Sequence, residues 1–171
     1  MRIRRGALSD ADQLSDLAMR AKASWGYPDA WLRAWRAQLQ FTPEVFAECR
    51  VLVAEEDSRI LGVVAFAFDL KRTQGEIEHL WVDPSSDRRG IGRALLEATF
   101  EHARDAGISS LRVESDPGAR PFYEKLGAVY EGDVDAPVLT VDRRLPVLRF
   151  QIGPAGRDPD QPSGFRAGTT S

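Results

Sequence analysis

Apolar and polar positions change their spacing several times along the chain, and each change marks an element. Residues Arg2 to Gly6 alternate weakly, as a short first strand does. Ser9 is expected as a helix N-cap, with Asp12 three residues on in capping-box position. Leu14, Leu17, Ala18 and Ala21 then recur at helical spacing, so one face of that helix is buried. Gly26 breaks it. Pro28 suits the first turn of a second helix, on which Trp31, Trp35 and Leu39 recur every four residues, and Pro43 opens a short helical piece through Phe46.

The period then drops to two. VLVAEE (51–56) and ILGVVAFAF (60–68) flank a turn at Asp57-Ser58-Arg59 and predict an antiparallel hairpin. In GEIEHLWV (75–82), strict alternation puts Glu76, Glu78, Leu80 and Val82 on one face, with Ile77, His79 and Trp81 on the other. A polar loop leads through Gly90-Ile91-Gly92 into a helix carrying Leu95, Leu96, Thr99, Phe100 and Ala103, which Gly107 closes. A strand over 108–115, a short helix over 119–127 and two strands near 128–132 and 138–152 complete the series. This order predicts mixed α/β structure around one sheet.

Composition narrows the function classes. The chain has 171 residues, a length that fits one domain. Its 23 Lys+Arg against 26 Asp+Glu leave a net charge of −3, without the electrostatic footprint of a nucleic-acid binder. The single cysteine, Cys49, has no internal disulfide partner, and no Cys/His spacing suits zinc. The basic start MRIRRGALSD is followed by Asp10, Asp12 and Asp16 where a signal peptide needs apolar residues, and no apolar run approaches a membrane span. A soluble protein of the reducing cytoplasm, without metal, is expected. Residues 153–171 hold four Gly and three Pro in nineteen positions, a composition that cannot offset its ordering entropy. They are expected as a tail on a domain spanning 1–152.

The segment VDPSSDRRGIGRALL (82–96) carries the clearest chemical signal. A strand leads through a loop into a helix start, where backbone N–H groups lack intrahelical partners and the helix dipole is positive. Such a place suits a phosphate or pyrophosphate. Gly90 and Gly92 admit a ligand close to the backbone, and Arg88, Arg89 and Arg93 add positive charge. The bland alternative is a tight turn with capping glycines and solvated arginines. A dinucleotide fingerprint would need a third glycine where Leu95 stands, and no Gly-Lys-Ser/Thr for a P-loop occurs anywhere.

Segment 76–96 resembles the acyl-CoA-binding motif of the GNAT superfamily of N-acetyltransferases, Arg/Gln-x-x-Gly-x-Gly/Ala after a strand and opening a helix. Downstream, ARPFYEKLGA (119–128) resembles that family's second motif, and the likeness covers most of residues 1–152. WGYPDAWLRAW (25–35) also looks like a bacterial subgroup of it. One position departs from the pattern: Asp87 stands where the family has Arg or Gln, and an inward carboxylate there would repel a pyrophosphate. Arg88 or Arg89 would supply the missing cation.

The resemblance implies a single-domain GNAT fold. Its central sheet is mixed but mostly antiparallel, flanked by helices and splayed between strands 76–82 and 108–115. Acetyl-CoA would enter the splay, with backbone groups of Leu80, Trp81 and Val82 holding the pantetheine arm. Amides from Arg88 through Arg93, with Gly90, Ile91 and Gly92 between, would cradle the pyrophosphate. An acceptor amine must lose a proton before it attacks, and a carboxylate suits that work. Glu78 is the first choice of base and Glu76 the second, against the alternative of two exposed strand carboxylates. His79 has the opposite parity and is expected to be packed. Tyr123 matches the family's tyrosine that protonates the departing thiolate, the alternative being a core tyrosine.

Trp25, Tyr27, Trp31 and Trp35 either wall the acceptor pocket or fill the core. Asp29 is expected as a first-turn carboxylate, Cys49 as a packed thiol, and Arg143 and Arg144 on a solvated strand or turn. The function implied is N-acetyl transfer from acetyl-CoA to a primary amine, small-molecule or peptide, by direct attack in a ternary complex. A non-catalytic acyl-CoA sensor and a transferase of a larger acyl group are the rivals. A homodimer is compatible with the resemblance; nucleic-acid and membrane partners are not expected.

Overall fold

A computed structural model describes residues 1–86 and 89–153. Asp87, Arg88 and the tail beyond residue 153 lie outside the described residues, and so does the pyrophosphate role expected of Arg88. The strands are β1 (Arg2–Arg5), β2 (Arg50–Glu56), β3 (Arg59–Asp69), β4 (Gln74–Val82), β5 (Ser110–Glu114), β6 (Val129–Asp135) and β7 (Arg144–Gln151). The helices are α1 (Ala11–Ala23), α2 (Asp29–Trp35), α3 (Pro43–Glu48), α4 (Ile91–Asp105) and α5 (Arg120–Lys125). None of the helices among these residues is long and apolar enough to cross a membrane.

The strands form one seven-stranded sheet in the order β1-β2-β3-β4-β5-β7-β6. Every neighbouring pair is antiparallel except β4 and β5. The sheet separates two cores. On one side α4 and α5 lay Leu95, Leu96, Ala103 and Tyr123 over Val64, Phe66, Ile77 and Leu111. On the other, α1 and α2 bring Leu14, Leu17 and Trp35 against Val53, Val63 and Ala65. The β2–β3 hairpin forms because Asp57 and Ser58 both take positive φ, 49° and 63°, the two-residue turn whose twist matches paired strands.

The parallel pair is short. Gln74 to Ile77 run opposite Ser110 to Val113, and past that point β4 has no partner in β5. The sheet is therefore splayed along residues 78–82, as the family resemblance implied.

Local details depart from the sequence reading. Ser9 lies inside a 3-10 turn, Leu8–Asp10, and it is the Asp10 carboxylate that caps this turn by accepting from the Ala7 amide at 2.8 Å. Pro28 stands one residue before α2, at its N-cap. The strand expected over 138–152 is divided: Val138 and Val141 bridge across a tight turn, Leu139 takes a φ of 53°, and pairing resumes only at Arg144.

The alternation in β4 is also broken. Ala65 pairs with His79 and Phe66 with Ile77, leaving Glu78 as an extra residue with no opposite number. That bulge flips the parity. Ile77 joins Leu80 and Val82 on the α4 side, while His79 meets Phe41 and Trp81 packs on the α1 side. The faces expected for Ile77, Leu80 and Val82 are therefore corrected.

Candidate active site

The splay opens into a cleft of about 1020 Å³, large enough for an extended ligand. Leu80, Trp81 and Val82 line one wall. The start of α4, through Gly90, Ile91, Gly92 and Arg93, lines the end, and Phe122, Tyr123 and Lys125 of α5 line the other wall. Ten of the expected site residues are thus neighbours here: Leu80, Trp81, Val82, Gly90, Ile91, Gly92, Arg93, Glu78 and Tyr123 on the cleft wall, with Glu76 just behind Glu78.

Gly90 makes the α4 start possible. Its φ of 75° is a left-handed conformation that a side chain would strain, and it turns the chain directly into the helix. The Ala94 amide donates to the Gly90 carbonyl at 3.0 Å, so the amides of Ile91, Gly92 and Arg93 have no acceptor within the helix. At Gly92 a β-carbon would stand 3.1 Å from Phe122 Cζ, so glycine keeps this corner open. The geometry fits a phosphate group resting on backbone N–H donors at a positive helix end.

The loop before α4 is fixed from behind. Asp83 is buried, and its Oδ1 accepts from the Ser85 amide at 2.9 Å and the Ser85 hydroxyl at 2.6 Å. Its Oδ2 accepts from Arg20 at 3.1 Å and Arg59 at 3.3 Å. Burial opposes the charge, but these donors together hold the carboxyl down at about 2. Arg89 is turned away to Glu56 at 2.7 Å, which leaves only its backbone for a cleft ligand, and Arg93 pairs along the helix with Glu97 at 2.7 Å. Lys125 adds a cation that the sequence reading did not single out.

Two carboxylates of β4 differ in their surroundings. Glu76 is gripped by Arg112 of β5, which also holds Glu114 at 2.7 Å. Glu78, on the bulge, makes no ion pair among the described residues and keeps contact with solvent. Partial burial in the cleft, then the like charges of Glu76 and Glu114, push its carboxyl above the usual range. His79 accepts from the Trp81 indole at 3.2 Å through Nδ1, so its proton sits on Nε2, and burial lowers its basicity.

Tyr123 is buried against Phe150 and Phe122, with ring centroids 6.3 and 5.1 Å away. Its hydroxyl has no hydrogen-bond partner among the described residues and is not sealed off, since no buried side-chain oxygen or nitrogen there lacks a partner. Burial, then the charge of Asp116, push its phenol far above the ordinary value. It stays protonated at any ordinary pH.

The aromatic residues divide. Trp35 is core, stacked edge-on with Tyr27 at 5.0 Å and Trp31 at 5.6 Å, while Trp25 lines the cleft. Cys49 is half-buried, and burial raises its thiol. Arg144 is exposed as expected. Arg143 is not: only 10% of its side chain is accessible, because the loop before β7 folds back over α1 and α2. Its carboxylate partner Asp116 also binds Lys22, and that pair drew no attention in the sequence because it lies 94 residues apart and only the fold unites it.

Comparison with known proteins agrees with this geometry. The profile of the acetyltransferase (GNAT) family matches residues 12–128. The chain is 37% identical to an IAA acetyltransferase of Azospirillum brasilense, across 40% of this chain and 44% of that one. It is 30% identical to the mycothiol acetyltransferase of Thermomonospora curvata, across 68% of this chain and 40% of the relative. It thus spans under half the length of these two relatives. Among solved structures, the PaiA N-acetyltransferase of Thermoplasma acidophilum in complex with coenzyme A superposes with a TM-score of 0.70 at 17% identity, covering 88% of this chain and 98% of that one.

Proposed function

The chain belongs to the GNAT acetyltransferase family, and on that premise we propose that it transfers an acetyl group from acetyl-CoA to a primary amine by direct attack. One observation carries this reading: a strand bulge with a free carboxylate, a helix start with unpaired amides and a buried tyrosine whose hydroxyl stays accessible line the same cleft.

Acetyl-CoA supplies the acetyl group already activated as a thioester. Amides of Ile91 to Arg93 hold its pyrophosphate, and Leu80 to Val82 offer the pantetheine arm the backbone groups that β5 leaves unpaired. An N–H on the same strand faces negative charge developing on the thioester oxygen. Glu78, directly or through a water, takes the proton from the acceptor ammonium. The amine nitrogen then bonds to the acetyl carbon, the carbon–sulfur bond breaks, the Tyr123 hydroxyl gives its proton to the sulfur, and the surplus proton on the new amide nitrogen returns through solvent to the phenolate. Nothing in this sequence of steps needs a covalent enzyme intermediate or a metal. A cytoplasmic setting and a small-molecule or peptide acceptor belong to the same reading, and the chain acts as the 1–152 domain without requiring its tail.

Calorimetric titration of acetyl-CoA, with CoA as control, is the first test, followed by thiol release with a panel of amines. Micromolar binding and amine-dependent release are expected. Binding without release for any amine would favour the sensor reading, and succinyl-CoA binding more tightly than acetyl-CoA would favour a larger acyl group.

A further inference from the structure

Four side chains from distant parts of the chain meet on the α1 side of the splay. They are Lys22 of α1, Tyr27 between α1 and α2, Asp116 after β5 and Arg143 before β7. Asp116 Oδ2 accepts from Lys22 Nζ at 2.9 Å, from the Tyr27 hydroxyl at 2.7 Å and from Arg143 Nη2 at 3.1 Å. Its Oδ1 accepts from the Gly118 amide at 3.1 Å, and Arg143 Nη2 also donates to the Tyr27 hydroxyl at 3.1 Å. The Trp35 ring lies 4.3 Å from Lys22 Nζ and 5.0 Å from the Arg143 guanidinium.

This cluster is short of negative charge. Two cations, each about nine-tenths buried, share one carboxylate, and Tyr27 is a neutral phenol pushed up by burial. Buried charge without a full complement is costly, and aromatic faces offset only part of that cost. The donors are also underused. Among the described residues, Lys22 spends one of three N–H groups on protein, and Arg143 spends only Nη2, leaving Nε and Nη1 without a protein partner. Those nitrogens are not sealed, since no buried polar side-chain atom among the described residues lacks a partner. Burial, with the Arg143 charge as a smaller cause, holds the Lys22 ammonium below its ordinary range.

The cluster also borders the reaction centre. Asp116 lines the cleft, its charge reaches the Tyr123 phenol, and Trp81, within 6.0 Å of Lys22 Nζ, lines the cleft too. On the acetyl-transfer reading, we propose that Lys22 and Arg143, held in place by Asp116, form an anion subsite that selects acceptor amines carrying a carboxylate. A singly charged carboxylate matches the single excess positive charge and the planar fork of the guanidinium. A phosphate dianion would overcompensate it. The acceptor class is therefore amino-acid-like: an amine for Glu78 and a carboxylate for Arg143.

The test separates this proposal from the reading it rests on. Sodium propionate and propionamide are titrated calorimetrically into the free and the CoA-saturated protein, with Arg143→Gln, Arg143→Lys and Lys22→Met beside the wild type. Melting temperatures identify the variants that fold. We expect propionate to bind the wild type at least about tenfold more tightly than propionamide, and Arg143→Gln to abolish the preference. Arg143→Lys, which keeps charge but loses the fork, should retain part of it. In turnover, free amino acids should exceed their carboxamides about tenfold in kcat/KM, through KM. Equal affinity of propionate and propionamide for the wild type overturns the subsite outright, as does a preference unchanged in the folded variants or inorganic phosphate binding better than propionate. Failure of acetyl-CoA to bind instead overturns acetyl transfer, while propionate binding to the free protein still decides the subsite.

Discussion

Arg112 reaches from β5 to grip Glu76 on β4, at the last rungs where the two strands are paired. The bond occupies Glu76 and leaves the carboxylate two residues on, Glu78, without an ion pair among the described residues, as the proposed base requires. We expect Glu78→Gln to lower kcat by about 10²–10⁴-fold while acetyl-CoA affinity, read calorimetrically, stays unchanged. Glu76→Gln should cost much less in kcat. Equal losses from the two changes would return the base role to both carboxylates.

The pH profile follows from the directions of two shifts. In the proposed mechanism Glu78 is the base and must be ionised; its carboxyl is raised above 4.5, so kcat/KM should fall on the acid side at a pH higher than an ordinary glutamate would give. Glu78→Gln should erase that limb. In the same proposal Tyr123 is the acid and must be protonated; with its phenol raised above 10.0, it should impose no alkaline limb below that pH. Tyr123→Phe should lower kcat at every pH without moving the acid limb.

Asp83 ties stability to acid. Its carboxyl is held at about 2 against an ordinary 3.8, a depressed value, so its contribution is complete above the ordinary value and disappears as pH falls toward 2. The shift corresponds to about 2 kcal/mol. Partners Arg20 and Arg59 are half-exposed, so salt will reduce it. Urea unfolding should show Asp83→Asn less stable than wild type at pH 7 and equal to it near pH 2. The variant should also bind acetyl-CoA more weakly, because Asp83 sets the loop before α4.

Trp25 lies against Gly118, where an added β-carbon would come within 2.2 Å of the indole. The tryptophan is 45% exposed and can swing outward, and Gly118 has no left-handed backbone to strain. Gly118→Ala should therefore fold with a stability change under about 0.5 kcal/mol. Indole emission should shift to the red as Trp25 leaves the cleft wall, a shift absent when the change is made in a Trp25→Phe background. Unchanged emission would mean that the turn, not the indole, gives way.

What the sequence made legible was what periodicity and glycine encode locally. The β2–β3 hairpin, the helix after Gly90 and the strand before it stand where their patterns put them. The bulge at Glu78 had one local signal that strict alternation passed over: the parity of polar Glu76 and Glu78 turns apolar at Leu80 and Val82. The extra residue itself shows in the register against Ala65 and Phe66, so alternation misplaced Ile77, Leu80 and Val82 while keeping Glu76 and Glu78 near one another. Arg143, beside Arg144, looked solvated because arginines are mostly exposed. Its burial depends on a loop returning over α1, which no local pattern announces. Trp25, Trp31 and Trp35 had the same two candidate roles in the sequence, and helical spacing favoured the core for Trp31 and Trp35; Trp35 is buried there and Trp31 packs partly buried against it.

The unpaired stretch of β4 couples occupancy to cohesion. Beyond Ile77 and Val113 no backbone rung joins β4 to β5, so cohesion across this part of the sheet rests on side-chain packing. A ligand whose amides run along Leu80 to Val82 would act as a missing rung, stitching the two strands together as it binds. Saturation to about one hundred times Kd would then add about 2.7 kcal/mol to the fold. The protein would be toughest while loaded and most vulnerable to proteolysis between turnovers.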